Sequence, residues 1–157
     1  MRFLTTFAVI VLVGLCASAQ EKIVEDVSLL KPGDRAYADA VNAATIFNQH
    51  DLKIQSIHRS KLEGFFRDVW NAAVFKTDKG PFEIIFFPES DQAERIQVTE
   101  KRDGKRYIYS FAGQPHPDPP RDVMNAAYPM NFIAKGNWFI VISDNRELAD
   151  LVRKTLR

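Results

Sequence analysis

Residues 72–87 read AAVFKTDKGPFEIIFF, two apolar runs joined through Asp78-Lys79-Gly80. A short polar turn ending in glycine between two such runs signals a hairpin, because glycine supplies the positive φ that tight turns require. Strands joined this closely pair antiparallel, since parallel pairing needs a crossover of a dozen residues or more. The pattern recurs twice. Residues 95–100 and 106–111 flank Arg102-Asp103-Gly104, and residues 130–134 and 138–143 flank Gly136-Asn137. Residues 84–87 and 138–142 are apolar throughout, which predicts central strands covered on both faces. The middle hairpin is one-sided, with Tyr107, Tyr109 and Phe111 opposing Arg106, Ile108 and Ser110.

Working outward, Pro32-Gly33-Asp34 turns the chain, and Asp34 is placed to cap a helix running to about residue 48. Its buried stripe reads as Tyr37, Val41 and Ala44, flanked by Ala36, Ala40, Ala43 and Phe47. Residues 51–59 then alternate, with Leu52, Ile54, Ser56 and His58 on one side and Lys53, Gln55, Ile57 and Arg59 on the other. Ser60 and Glu63 have capping-box spacing, which places a short helix over 61–68. A last helix over 146–156, capped by Asp144, puts Leu148, Leu151, Val152 and Leu156 on one apolar face. The expected fold class is α+β: a single antiparallel sheet of about seven strands, built from three consecutive hairpins, with an N-terminal and a C-terminal helix packed on it.

Residues 1–19 have the parts of a secretory signal peptide: Arg2, an apolar stretch over 7–15, and Ala17-Ser18-Ala19 before Gln20. Residues 7–19 span roughly 20 Å as a helix, short of the ~30 Å hydrocarbon core, so cleavage after Ala19 is expected rather than a membrane anchor. Lipidation at Cys16 wants a small residue directly before the cysteine, and Leu15 stands there. The expected location is therefore extracytoplasmic, periplasmic or secreted. Residues 20–31 read as a loose leader and 32–157 as one α+β domain.

Removing 19 residues from 157 leaves 138, enough for a single core. Arg2 is the only charge in the signal, so 21 basic residues fall to 20 against 20 acidic ones. A neutral chain without a basic run has no electrostatic reason to bind nucleic acid or an anionic membrane. Cys16 is the only cysteine and leaves with the signal, so the mature chain has no disulfide, thiol nucleophile or thiolate metal site.

No metal site or cofactor is expected. His50, His58 and His116 are scattered, without an i,i+4 helical pair. No glycine-rich phosphate loop is present, and no Gly-x-Ser-x-Gly occurs. His116-Pro117-Asp118 is similar to the tripeptide of J-domain co-chaperones, but the likeness covers three residues, lacks the basic helix that should precede it, and assigns nothing. Ser60, beside His58 and Lys61, is the one polar cluster of the right chemical types for nucleophilic catalysis, and its simpler role is to cap the next helix. Carboxylate pairs such as Glu83 and Glu89 have no separation set by sequence.

Residues 113–121 hold Pro115, Pro117, Pro119 and Pro120, a stiff extended connection from which His116 and Arg121 are expected to project as polar contacts. Phe65, Phe66 and Trp70 sit at element ends, where aromatic side chains serve recognition. With His58, these six residues are the candidate binding set. Three readings remain open: an exported, non-enzymatic binding or accessory module for an envelope or extracellular protein or a small ligand; a small extracytoplasmic hydrolase or isomerase whose groups converge only in space; and an envelope structural protein anchored by an uncut signal.

Overall fold

In the computed structural model, residues 27–62, 71–100, 106–111, 123–125 and 129–157 are described. The 72–87 hairpin forms as expected: β2 (Asn71–Thr77) and β3 (Gly80–Phe86) follow β1 (Ile54–Arg59), and β2 pairs antiparallel with β3 from Thr77↔Gly80 to Asn71↔Phe86. Gly80 closes its turn at φ +122°, a conformation L side chains rarely adopt. Thr77 holds the turn through its hydroxyl, which accepts from the Lys79 amide at 3.0 Å and donates to the Gly80 carbonyl at 2.8 Å.

The third hairpin also forms. β7 (Met130–Lys135) and β8 (Trp138–Ser143) pair antiparallel around a two-residue turn, with Gly136 at φ +59°. On its other side β8 joins β3, a strand distant in sequence, giving a five-stranded sheet in the order β1-β2-β3-β8-β7. The middle hairpin, β4 (Ile96–Glu100) and β5 (Arg106–Phe111), does not enter that sheet. It forms a second sheet with β6 (Val123–Asn125), a strand the sequence reading did not anticipate.

The expected single sheet of about seven strands is thus corrected to two antiparallel sheets, of five and three strands, among the described residues. The reason is coverage. β3 and β8 are apolar on both faces, so each face needs a layer against it. Helices α1 (Tyr37–Asn48) and α2 (Arg146–Thr155) supply one layer. The one-sided middle hairpin supplies the other by laying Tyr107 and Tyr109 on Ile85, Phe87, Phe139 and Val141.

The helix layer closes over Phe75, Phe82, Ile84, Phe86, Ile140 and Ile142. From α1 it takes Ala40, Ala43, Ala44 and Phe47, and from α2 Leu148, Ala149 and Val152. The expected α1 stripe is therefore turned toward the alanines, and Val41 is 40% exposed. Alanines let the helix backbone approach the sheet closely, which seats Phe47 edge-on against Phe82 and beside Trp138.

Two caps are corrected as well. Asp34 does not cap α1: its carboxylate accepts from the Lys31 amide at 2.8 Å and pairs with Arg59, tying the helix entry to β1. These contacts hold its carboxyl below the ordinary range. Asn145, not Asp144, caps α2 through a 3.0 Å bond from the Leu148 amide, while its side-chain amide donates to the Lys79 carbonyl at 2.7 Å. Asp144 instead takes φ +33°.

β1 carries a bulge. Ile54 stands opposite Thr77 and Ser56 opposite Lys76, so Gln55 is the extra residue. The bulge breaks the expected alternation: Ile54 joins Ile57 against the helix-side core, while Ser56 and His58 keep to the other face. The outer edge of β1 is covered by the chain itself, since Leu29 bridges His58, the Leu30 amide donates to Ile57 and the Arg59 amide to Ser28. Among the described residues no helix is long and apolar enough to cross a membrane.

Candidate functional site

On the sheet face turned away from the helices, one row of residues crosses all five strands in register: His58, Val74, Glu83, Val141 and Phe132. Directly opposed residues share a face, so these side chains project together. Toward β7 the row is apolar and lies under the second sheet, where Phe132 packs against Tyr107, Tyr109 and Phe139. Toward β1 it turns polar. Ser56 and His58 stand there, and Ser60 follows two residues on; Glu83 marks the boundary.

Glu83 is the one charge in an otherwise apolar strand. The Ser60 hydroxyl donates to its carboxylate, and Ser60 in turn accepts from the Leu62 amide at 2.8 Å. Burial pushes the Glu83 carboxyl from 4.5 up to about 7, against the pull of the Ser60 and Leu62 hydrogen bonds, which favour the charged form. Tyr109 is pushed up too, by burial first and then by its neighbours Tyr107 and Glu83. A carboxyl titrating near neutrality beside a hydroxyl can give or take a proton.

His58 is held at both ring nitrogens. Nδ1 lies 3.0 Å from the Val27 carbonyl and Nε2 lies 2.9 Å from the Ser56 hydroxyl. The hydroxyl at the imidazole is that of Ser56, whereas Ser60 serves Glu83. His116, Arg121, Phe65, Phe66 and Trp70, the other candidate binding residues, lie outside the described residues, as do the 61–68 helix from residue 63 onward and the proline segment. His50 lines a shallow depression between the C-terminal ends of the two helices, with Asp51, Leu151 and Lys154. Among the described residues no group of three or more His, Cys, Asp or Glu side chains could hold a metal ion.

Ser56 and Glu83 were missed as members of a site. Both left a trace in the sequence: Ser56 precedes His58 by the two residues that put strand side chains on one face, and Glu83 interrupts the apolar run of residues 82–87.

The other edge of the sheet has a different character. Lys135 and Trp138 flank a two-residue turn and so form a hydrogen-bonded pair, and the pairs Ile133–Ile140 and Asn131–Ile142 follow. The amides and carbonyls of Phe132 and Ala134 therefore point away from β8. The Met130 amide belongs to this same outward set and donates to the Tyr107 hydroxyl at 2.9 Å. Among the described residues no donor or acceptor meets the outward groups of Phe132 and Ala134. No protein-family model matches the chain, and neither a curated protein nor a solved structure matches it.

Proposed function

We propose that the protein is a small exported binding module that takes up an extended segment of another protein along β7. The observation that carries this reading is the asymmetry of the five-stranded sheet: residues 28–30 cover the β1 edge, while Phe132 and Ala134 present outward backbone groups at the β7 edge. Amides and carbonyls at strand spacing that meet no partner among the described residues are matched best by another extended backbone, which adds a strand and satisfies both sides.

Ala134→Pro tests the reading. The Ala134 amide points outward, so proline there removes a docking donor without taking a bond from the β7–β8 ladder. The variant should melt within ~5 °C of wild type. A phage-displayed library of random peptides should yield binders to the wild type that fail to bind the variant. No enrichment, or equal binding to a folded Ala134→Pro protein, would end the proposal. A wild-type dimer that the substitution dissociates would replace the partner by a second copy.

Export is the second part of the proposal, supported by the Arg2, apolar and Ala-Ser-Ala order of residues 1–19. Protein recovered from the extracytoplasmic fraction should have the intact mass of a chain starting at Gln20. A chain starting at Met1 would overturn it.

A further inference from the structure

The Ser56–His58 pair has a fixed direction. A carbonyl only accepts hydrogen bonds, so the 3.0 Å contact with Val27 places the hydrogen of a neutral His58 on Nδ1. Nε2 is then a lone pair, and the Ser56 hydroxyl at 2.9 Å is its donor. Hydroxyl to imidazole to oxygen acceptor is the order in which a general base prepares a serine nucleophile, with a main-chain carbonyl here holding the ring. A structural histidine bonded through its other tautomer would offer the serine a donor instead, and no activation.

Two further observations place this pair in a reactive setting. Ser56 stands directly across from Lys76, so the two side chains rise from one face with Cβ atoms ~5 Å apart, and the ammonium can reach an oxyanion forming at a carbon bonded to Ser56 Oγ. Ser56, His58 and Lys76 are each partly exposed, so a ligand can meet them from solvent.

We propose that Ser56 is the nucleophile of an ester-hydrolysing site, with His58 as general base and Lys76 as the charge that stabilises the oxyanion. Ser56 Oγ bonds to the acyl carbon as its proton passes to Nε2. The bond from that carbon to the leaving alcohol breaks, and the alcohol takes the proton from Nε2. Water then bonds to the acyl carbon as one of its protons passes to Nε2, the bond from that carbon to Ser56 Oγ breaks, and Nε2 returns the proton to Oγ. One ester and one water give one acid and one alcohol. This activity goes beyond peptide capture and lies at the opposite edge of the sheet from β7.

The test uses the full mature protein and an alkyl fluorophosphonate, which bonds through phosphorus to an activated serine as fluoride leaves. Intact mass should show a single adduct, mapped by proteolysis to Ser56 and absent from Ser56→Ala. His58→Asn keeps an amide donor at the position of Nδ1 for the Val27 carbonyl, so it preserves the strand contact while removing the base at Nε2. Its labelling should slow by ~100-fold or more. Thr45→Ala, on the exposed side of α1, should label like wild type. No adduct at Ser56 in folded wild type, an adduct at Ser60 instead, or unchanged labelling in His58→Asn would each overturn the proposal. Ala134→Pro separates the two ideas: it should label normally, so loss of peptide capture with retained labelling touches only the binding reading.

Discussion

Replacing Phe47 with alanine is expected to destabilise the domain by about 3–5 kcal/mol, whereas Val41→Ala should change it by under about 0.5 kcal/mol. Both residues lie on α1, six positions apart, and sequence periodicity alone gives Val41 the central place on the buried stripe. In the structure Phe47 has no exposed surface and sits between Phe82 and Trp138, with ring centroids 5.1 and 6.1 Å away. Truncating it removes its transfer free energy and leaves a cavity in the contact of the helix with the sheet. Domains of this kind hold about 5–15 kcal/mol in total, so the loss leaves the fold marginal. Urea denaturation of the two variants at equal m-value checks the ranking. A larger loss for Val41→Ala would mean that α1 is rotated from the packing described.

Glu83→Gln is expected to stabilise the protein by up to about 3 kcal/mol at about pH 8 and to have almost no effect below about pH 4. The Glu83 carboxyl titrates near 7 in the folded state, above its ordinary 4.5, because burial disfavours its charge. Between those two values the folded state retains a proton that the unfolded chain has released. Wild-type stability therefore falls as the pH rises through that window and stays low above it. Glutamine keeps an acceptor for the Ser60 hydroxyl and carries no charge, so it removes the pH dependence along with the cost. The measurement is denaturant unfolding of both proteins across the window. A stability difference that does not vary with pH would show that the carboxylate is hydrated in the folded state.

A carboxyl that burial raises from its ordinary value marks a place where charge is expected to cost the fold stability. Glu83 shares a sheet face with the Ser56–His58 pair and with the apolar row under the second sheet. Its hydrogen bond with Ser60 joins β3 to the residue that follows β1, and that junction could be read in the sequence only as a lone acid in an apolar strand.

The turns of the first and third hairpins, the two helices and the central, doubly covered strands were legible from residues within a few positions of one another. Gly80 and Gly136 announce their turns because a positive φ is a local steric matter, settled by the absence of a Cβ. Residues 84–87 and 138–142 announce their burial because an unbroken apolar run has no face to offer water. The caps were less legible, since Asp144 and Asn145 both have side chains suited to capping α2, and Asp34 has one suited to α1. Asp34 was taken by Arg59, a partner far along the chain.

What the sequence by itself determined is the α+β class, the hairpins and which strands must be central. Only the tertiary structure decided that β8 joins β3, that the middle hairpin forms a second sheet, and that a bulge at Gln55 puts Ile54 with Ile57 and leaves Ser56 beside His58. It alone brought the Val27 carbonyl to His58 and Ser60 to Glu83. The physical reason is that turn and helix preferences arise from sterics between near neighbours, whereas sheet partition and polar encounters are settled by competition among distant surfaces for cover.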